Sequence, residues 1–124
     1  MQVWCPMRTS PEVDEAIRRM VRESIGMLSL LPRGLVRLPD WQAADRLEEI
    51  RVPTLAMWGD RDDPALQQVA ERLTAAIPGA RRVVVPAADH IVPMRAPDRF
   101  TDEVLTFLHQ AQSARSEARG TDAE

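Results

Sequence analysis

The chain predicts an α/β fold organised around one strand–helix–strand unit of parallel sheet. Two observations carry this. The runs VPTLAMWG at 52–59 and RRVVVPAADH at 81–90 are apolar without alternation, the mark of strands covered on both faces of a parallel sheet. Between them Leu66, Val69, Ala70, Leu73 and Ile77 recur at helical spacing, and Pro78-Gly79 ends the stripe. A strand, helix and strand of this length form a βαβ unit with a right-handed crossover.

The flanking elements follow in order. Ser10-Pro11-Glu12 reads as a helix start, with Ser10 as N-cap and proline at the first helical position. Val13, Ile17, Met20, Val21 and Leu28 then mark a helical face. LPRGLVRLPD at 31–40 is an irregular connector, and a short helix is expected over 41–49. After Pro97 a last amphipathic helix turns Phe100, Val104, Leu105 and Leu108 inward. The final stretch, 111–124, has no large apolar residue and is expected to be a disordered tail.

Composition narrows the function. The 124 residues carry a net charge of −3 with 44% apolar residues, so a core is affordable and no basic face points to nucleic acid. Cys5 is the single cysteine, which leaves no intrachain disulfide and suits a reducing compartment. No signal pattern or membrane-length apolar run is seen, and a cytoplasmic protein is expected. Two strands alone make a poor sheet, and the outer edge of the first strand invites a partner. That edge predicts either a second copy of the chain or a missing N-terminal half.

Functional groups in open α/β sheets gather beyond the carboxyl ends of the strands. Asp60, Asp62 and Asp63 follow the first strand, and Asp89 and His90 follow the second. Asp63, before Pro64, fits a helix N-cap, and Asp60 fits a solvated turn. Asp62 is then the acid expected to orient His90, 28 residues downstream. An EF-hand beginning at Asp60 fails because Ala65 stands where glycine is required. Asp60-Arg61-Asp62 has the aspartate spacing of a haloacid dehalogenase-like phosphatase, but Asp63-Pro64 follows. Asp60, Asp62, Asp89 and His90 include metal-ligand types without a recognised spacing, so neither metal nor cofactor is expected.

The ordered letters RLEEIRVPTLAMWGDRDD and PGARRVVVPAADHIVPMRAPDRFTDEVLTFL resemble the C-terminal part of an α/β-hydrolase-fold enzyme, from about residue 46 to 108. The resemblance implies a partial α/β-hydrolase-like fold with three parts. These are an N-terminal helical lid remnant over 1–45, the acid- and histidine-bearing segment over 46–110, and the tail over 111–124. It also implies the triad acid at Asp62 and the triad base at His90, in the family's order of nucleophile, acid, histidine. Two residues depart from the family's habit. Asp89 replaces a small residue before the histidine, where a carboxylate would either raise the His90 pKa or compete with Asp62 for its proton; the sequence leaves its role open. Arg95 stands where many members have glutamate.

No Gly-x-Ser-x-Gly elbow occurs, and none of the serines Ser10, Ser24, Ser29, Ser113 and Ser116 fits a strand-to-helix turn. Loss of the nucleophile alone costs about six orders of magnitude in kcat in a serine protease, so the isolated chain is expected to be inactive. Ester, lactone or carbon–halogen hydrolysis of a small-molecule substrate is the implied chemistry once the fold is completed. The alternatives are a non-catalytic oligomeric or binding remnant of the fold and the phosphatase-like reading. Cys5 is read as a spectator thiol, His109 as a surface residue, and Trp41 and Trp58 as packing residues. Trp4, Met7, Met20, Met27 and Trp41 would line an acyl pocket if the lid reading holds, with core packing the favoured alternative.

Overall fold

The computed structural model describes residues 9–29 and 43–121. The connector at 31–40, together with Trp4, Cys5, Met7 and Trp41, lies outside the described residues. Helix α1 spans Pro11–Ser29, and the Ser10 hydroxyl caps it by accepting from the Val13 amide at 3.3 Å. Its inward face rests on Ile17, 3% exposed, whereas Met20 of the same stripe is 38% exposed.

The segment expected as a helix over 41–49 is a 3-10 helix, Ala43–Glu49, kinked at Arg46. Tighter 3-10 turns are common in short connectors, and none of its residues is buried.

Strand β1 (Leu55–Gly59) and strand β2 (Arg81–Val85) pair in parallel, with Met57 opposite Val83 and Gly59 opposite Val85. They are joined by helix α2, Pro64–Ala76. Its stop is chemical: the Ile77 amide closes on the Leu73 carbonyl at 3.0 Å, and Gly79 takes a positive φ of 72°, a conformation natural to glycine. Side chains alternate across a strand, so Leu55, Met57, Val83 and Val85 share one sheet face. There they pack with Ala88, Val92, Ala96 and Phe100. Each of the leucine, methionine, valine and phenylalanine side chains taken fully from water contributes about 1.5–3 kcal/mol.

Two helices complete the fold, the short α3 (Val92–Arg95) and α4 (Pro97–Thr121). The Arg81 guanidinium at the start of β2 donates to Glu103 of α4 at 2.6 Å, which docks α4 along the strand. The expected tail is helical as far as Thr121. Residues 111–121 are rich in alanine, glutamine, glutamate and arginine, all strong helix formers, so the helix runs on although it buries little there. Residues 122–124 lie outside the described part.

The helical stripes are only partly buried. Val69 of α2 is 53% exposed, and Leu105 and Leu108 of α4 are 49% and 46% exposed. Spacing was read correctly as helical, but a sheet of two strands is too narrow to cover both apolar faces. The outer edge of β1 also opens onto a groove of about 350 Å³ lined by Leu55, Ala56, Met57, Leu73 and Ile77.

Gly59 is the tightest point of the fold. A β-carbon there would lie 2.0 Å from the Ala88 carbonyl oxygen and 2.8 Å from that of Asp89. The obstacle is backbone, so it yields only if the strand end moves. Gly59→Ala is expected to destabilise the chain by about 1–3 kcal/mol, read as a lower urea midpoint. The neighbouring aspartates separate in the same measurement. Asp63→Ala removes a cap bond to the Ala65 amide at 2.8 Å and is expected to cost about 1 kcal/mol. Asp60→Asn, at an exposed turn, is expected to stay within about 0.5 kcal/mol of the parent.

Candidate active site

Because β1 and β2 run parallel, both chains leave the sheet at the same edge. Backbone bonds then stitch the two exits together. The Asp60 amide donates to the Val85 carbonyl at 3.0 Å, the Arg61 amide to the Ala88 carbonyl at 2.9 Å, and the Asp62 amide back to the Gly59 carbonyl at 3.2 Å. On the other side Ala87 sits at φ 52°, where a β-carbon costs about 1–2 kcal/mol. That turn sends Ala88 into the core with no exposed surface and brings Asp89 and His90 over the end of β1.

This arrangement pairs Asp62 with His90. His90 Nδ1 lies 3.1 Å from Asp62 Oδ2, and the other carboxylate oxygen accepts from the Asp63 amide at 2.7 Å. Gln67 of α2 reaches back to the Asp62 carbonyl at 2.8 Å. The Asp62 side chain is 6% exposed and that of His90 34%. An ionised carboxylate can only accept, so Nδ1 carries the proton in this pair. Proton exchange between the imidazole and a third group would then run through Nε2.

The other two aspartates of the cluster do different work. Asp63 caps α2, as its place before Pro64 implies. Asp60 is exposed, with its carboxylate 3.7 Å from Arg61 Nε. Asp60 and Asp62 therefore do not share one environment, which removes the arrangement that a two-aspartate phosphatase needs. Among the described residues no three histidine, cysteine or acidic side chains converge as metal ligands.

Asp89 is fully buried, and its partners speak against competition for the His90 proton. Its carboxylate is gripped bidentately by Arg95, with Nε 3.0 Å from Oδ1 and Nη2 3.0 Å from Oδ2. Two charge-assisted bonds of this geometry are the strong kind, and they commit the carboxylate to the guanidinium. Arg95 also reaches α1, donating through Nη1 to Asp14 Oδ1 at 2.9 Å and to the Thr9 hydroxyl at 2.6 Å. Burial opposes the charge on Arg95, but hydrogen bonds to Asp89 and Asp14 outweigh it and hold the guanidinium above its ordinary pKa. The two departures from the family pattern are thus one ion pair. The carboxylate and the cation six residues apart were both visible in the letters; the third member, Asp14, had no such signal.

Of the remaining candidates, His109 is exposed on α4. Trp58 is 5% exposed and packs in the fold, with the Arg82 guanidinium 5.2 Å from its ring centre. No described helix is long and apolar enough to cross a membrane.

Comparison with known proteins identifies the family of the fold that carries this site. A curated relative, the pimeloyl-[acyl-carrier protein] methyl ester esterase of Pectobacterium atrosepticum, is 30% identical over 88 residues, 71% of this chain. The chain spans about a third of that relative's length, 34%. Among solved structures, MenH from S. aureus matches with a TM-score of 0.53 and 32% identity, over 56% of this chain and 26% of its own. The carboxylesterase CesB (YbfK) from Bacillus subtilis matches with a TM-score of 0.52 and 30% identity, over 63% and 28%. The model of the alpha/beta hydrolase family matches residues 5–103, and the chain belongs to that family.

Proposed function

We propose that this chain supplies the acid and the base of a nucleophile–histidine–acid hydrolase, with Asp62 as the acid and His90 as the base. The observation that carries the reading is the 3.1 Å contact between His90 Nδ1 and Asp62 Oδ2, at the carboxyl ends of adjacent parallel strands. In this reading a hydroxyl or thiol nucleophile gives its proton to His90 Nε2 as it attacks an acyl carbon. Asp62 holds the tautomer and stabilises the imidazolium. The proton passes to the departing alkoxide. His90 then takes a proton from water, whose oxygen attacks the acyl-enzyme; the acyl–nucleophile bond breaks, the acid is released, and His90 returns the proton to the nucleophile. Carboxylic esters are the substrate class proposed, since esterases stand among the relatives.

The nucleophile and the oxyanion donors are the parts without a candidate here, because no Gly-x-Ser-x-Gly stretch occurs in the 124 residues. We place them on a segment that pairs with the outer edge of β1, beside the groove lined by Leu55, Met57 and Leu73. That same groove supports a second reading, a non-catalytic module in which a second copy covers the edge.

Two measurements test these readings. The 124-residue chain is expected to turn over p-nitrophenyl acetate no faster than buffer. Turnover by the isolated chain that disappears in both Asp62→Asn and His90→Ala would show the nucleophile to be within it. Joined to a nucleophile-bearing segment encoded upstream, the chain is expected to gain esterase activity that falls by at least about 10³-fold in His90→Ala. A stable homodimer in size-exclusion chromatography, with no activity after joining, would favour the module.

A further inference from the structure

We infer that Arg95 is a positioning residue for His90, acting through Asp89. The inference rests on reading Asp62 and His90 as the acid–base pair. His90 follows a carboxylate with no exposed surface. A buried carboxylate without a cation must find another donor or take up a proton, and the imidazole of the adjoining residue is a titratable donor. Arg95 removes that demand by engaging both Asp89 oxygens.

The clamp also sets the backbone. Asp89 Oδ1 accepts from the Ile91 amide at 3.3 Å, so the carboxylate bridges the two residues that flank His90. An aspartate closing on the amide two residues ahead fixes the turn between them, and His90 is the residue enclosed. Arg95 holds the other end of that turn, because its own amide donates to the Ile91 carbonyl at 3.1 Å. Through Asp14 and Thr9 the same guanidinium ties the turn to the start of α1. The carboxylates are therefore divided: Asp62, from the β1–α2 loop, accepts the hydrogen bond from Nδ1–H, while Asp89 and Asp14 are held by Arg95.

The test is the tautomer of His90, read from ¹⁵N ring shifts of the histidine-labelled 124-residue chain above the imidazole range, with exposed His109 as internal reference. The parent is expected to show Nδ1–H at His90. Arg95→Gln is expected to lower that population by about half or more, and adding Asp89→Asn is expected to restore it, with His109 unchanged throughout. An unchanged His90 signature in folded Arg95→Gln overturns the inference, as does a folded double variant that stays altered. If Arg95→Gln does not fold, the double variant decides. Folding with the parent signature supports charge removal as the role of Arg95; failure to fold, or folding without the signature, overturns it. Asp62→Asn is the separate control. If it keeps the Nδ1–H signature, the acid–base reading itself fails, whatever the Arg95 variants do.

Discussion

The close approach of Gly59 to the backbone of Ala88 and Asp89 is the constraint on which the rest of this structure depends. Two parallel strands fix only the direction in which their chains leave the sheet; they do not make those chains touch. Contact comes from the absence of a side chain at residue 59, which lets the end of β1 lie against the turn after β2. Three backbone bonds then follow within four residues, from Asp60, Arg61 and Asp62. Asp62 is carried by a loop that is, in effect, an edge of β2, and its distance from His90 is set by backbone rather than by flexible side chains. That is the condition under which a hydrogen bond of triad type holds its geometry.

A second problem is electrostatic. Three carboxylates belong to the network around His90: Asp62 meets its ring, Asp89 is its chain neighbour, and Asp14 joins Asp89 through Arg95. Buried carboxylates cost several kcal/mol each unless paired; Asp62 has its backbone-set contact with His90, and Asp89 needs a donor of its own. One cation supplies it. Arg95 spends two donors on Asp89 and one on Asp14, and its side chain is itself only 2% exposed. Arginine suits this place better than lysine, because a planar fork meets a carboxylate on two bonds while an ammonium is a point charge.

Much of the site was legible in the sequence because it depends on short-range rules. Asp63 before Pro64, the apolar stripe of α2 and the stop at Pro78-Gly79 are local signals, and they put Asp62 and His90 one βα unit apart. The parallel sheet then brought both loops to one edge, and the Gly59 approach closed the contact. The parts that were not legible depend on distant residues. Asp14 and Arg95 are 81 positions apart, and no periodicity links them. Val69, Leu105 and Leu108 follow helical spacing faithfully, yet spacing reports only that a face is apolar; whether it is covered depends on how many strands lie beneath it. The helix over 111–121 escaped for the opposite reason: lacking apolar residues, it gave no packing signal, while its helix-forming composition was enough to continue α4.

These uncovered faces bear on what the Asp62–His90 pair can do. In the proposed role a general base needs its proton acceptor and the carboxylate that orients it, and the two stand 3.1 Å apart with Asp62 buried and His90 partly exposed. Acyl transfer needs in addition an attacking atom and donors aimed at the oxyanion, and these contribute several kcal/mol of their own. In the α/β hydrolase family those groups stand on the strand-to-helix turn of the nucleophile and on an upstream loop. The open edge of β1, with the groove lined by Leu55, Met57 and Leu73, is where a further strand would extend the sheet. That open edge accounts for the apolar groove beside β1, and in the proposed relay it is the surface on which the nucleophile-bearing segment would dock.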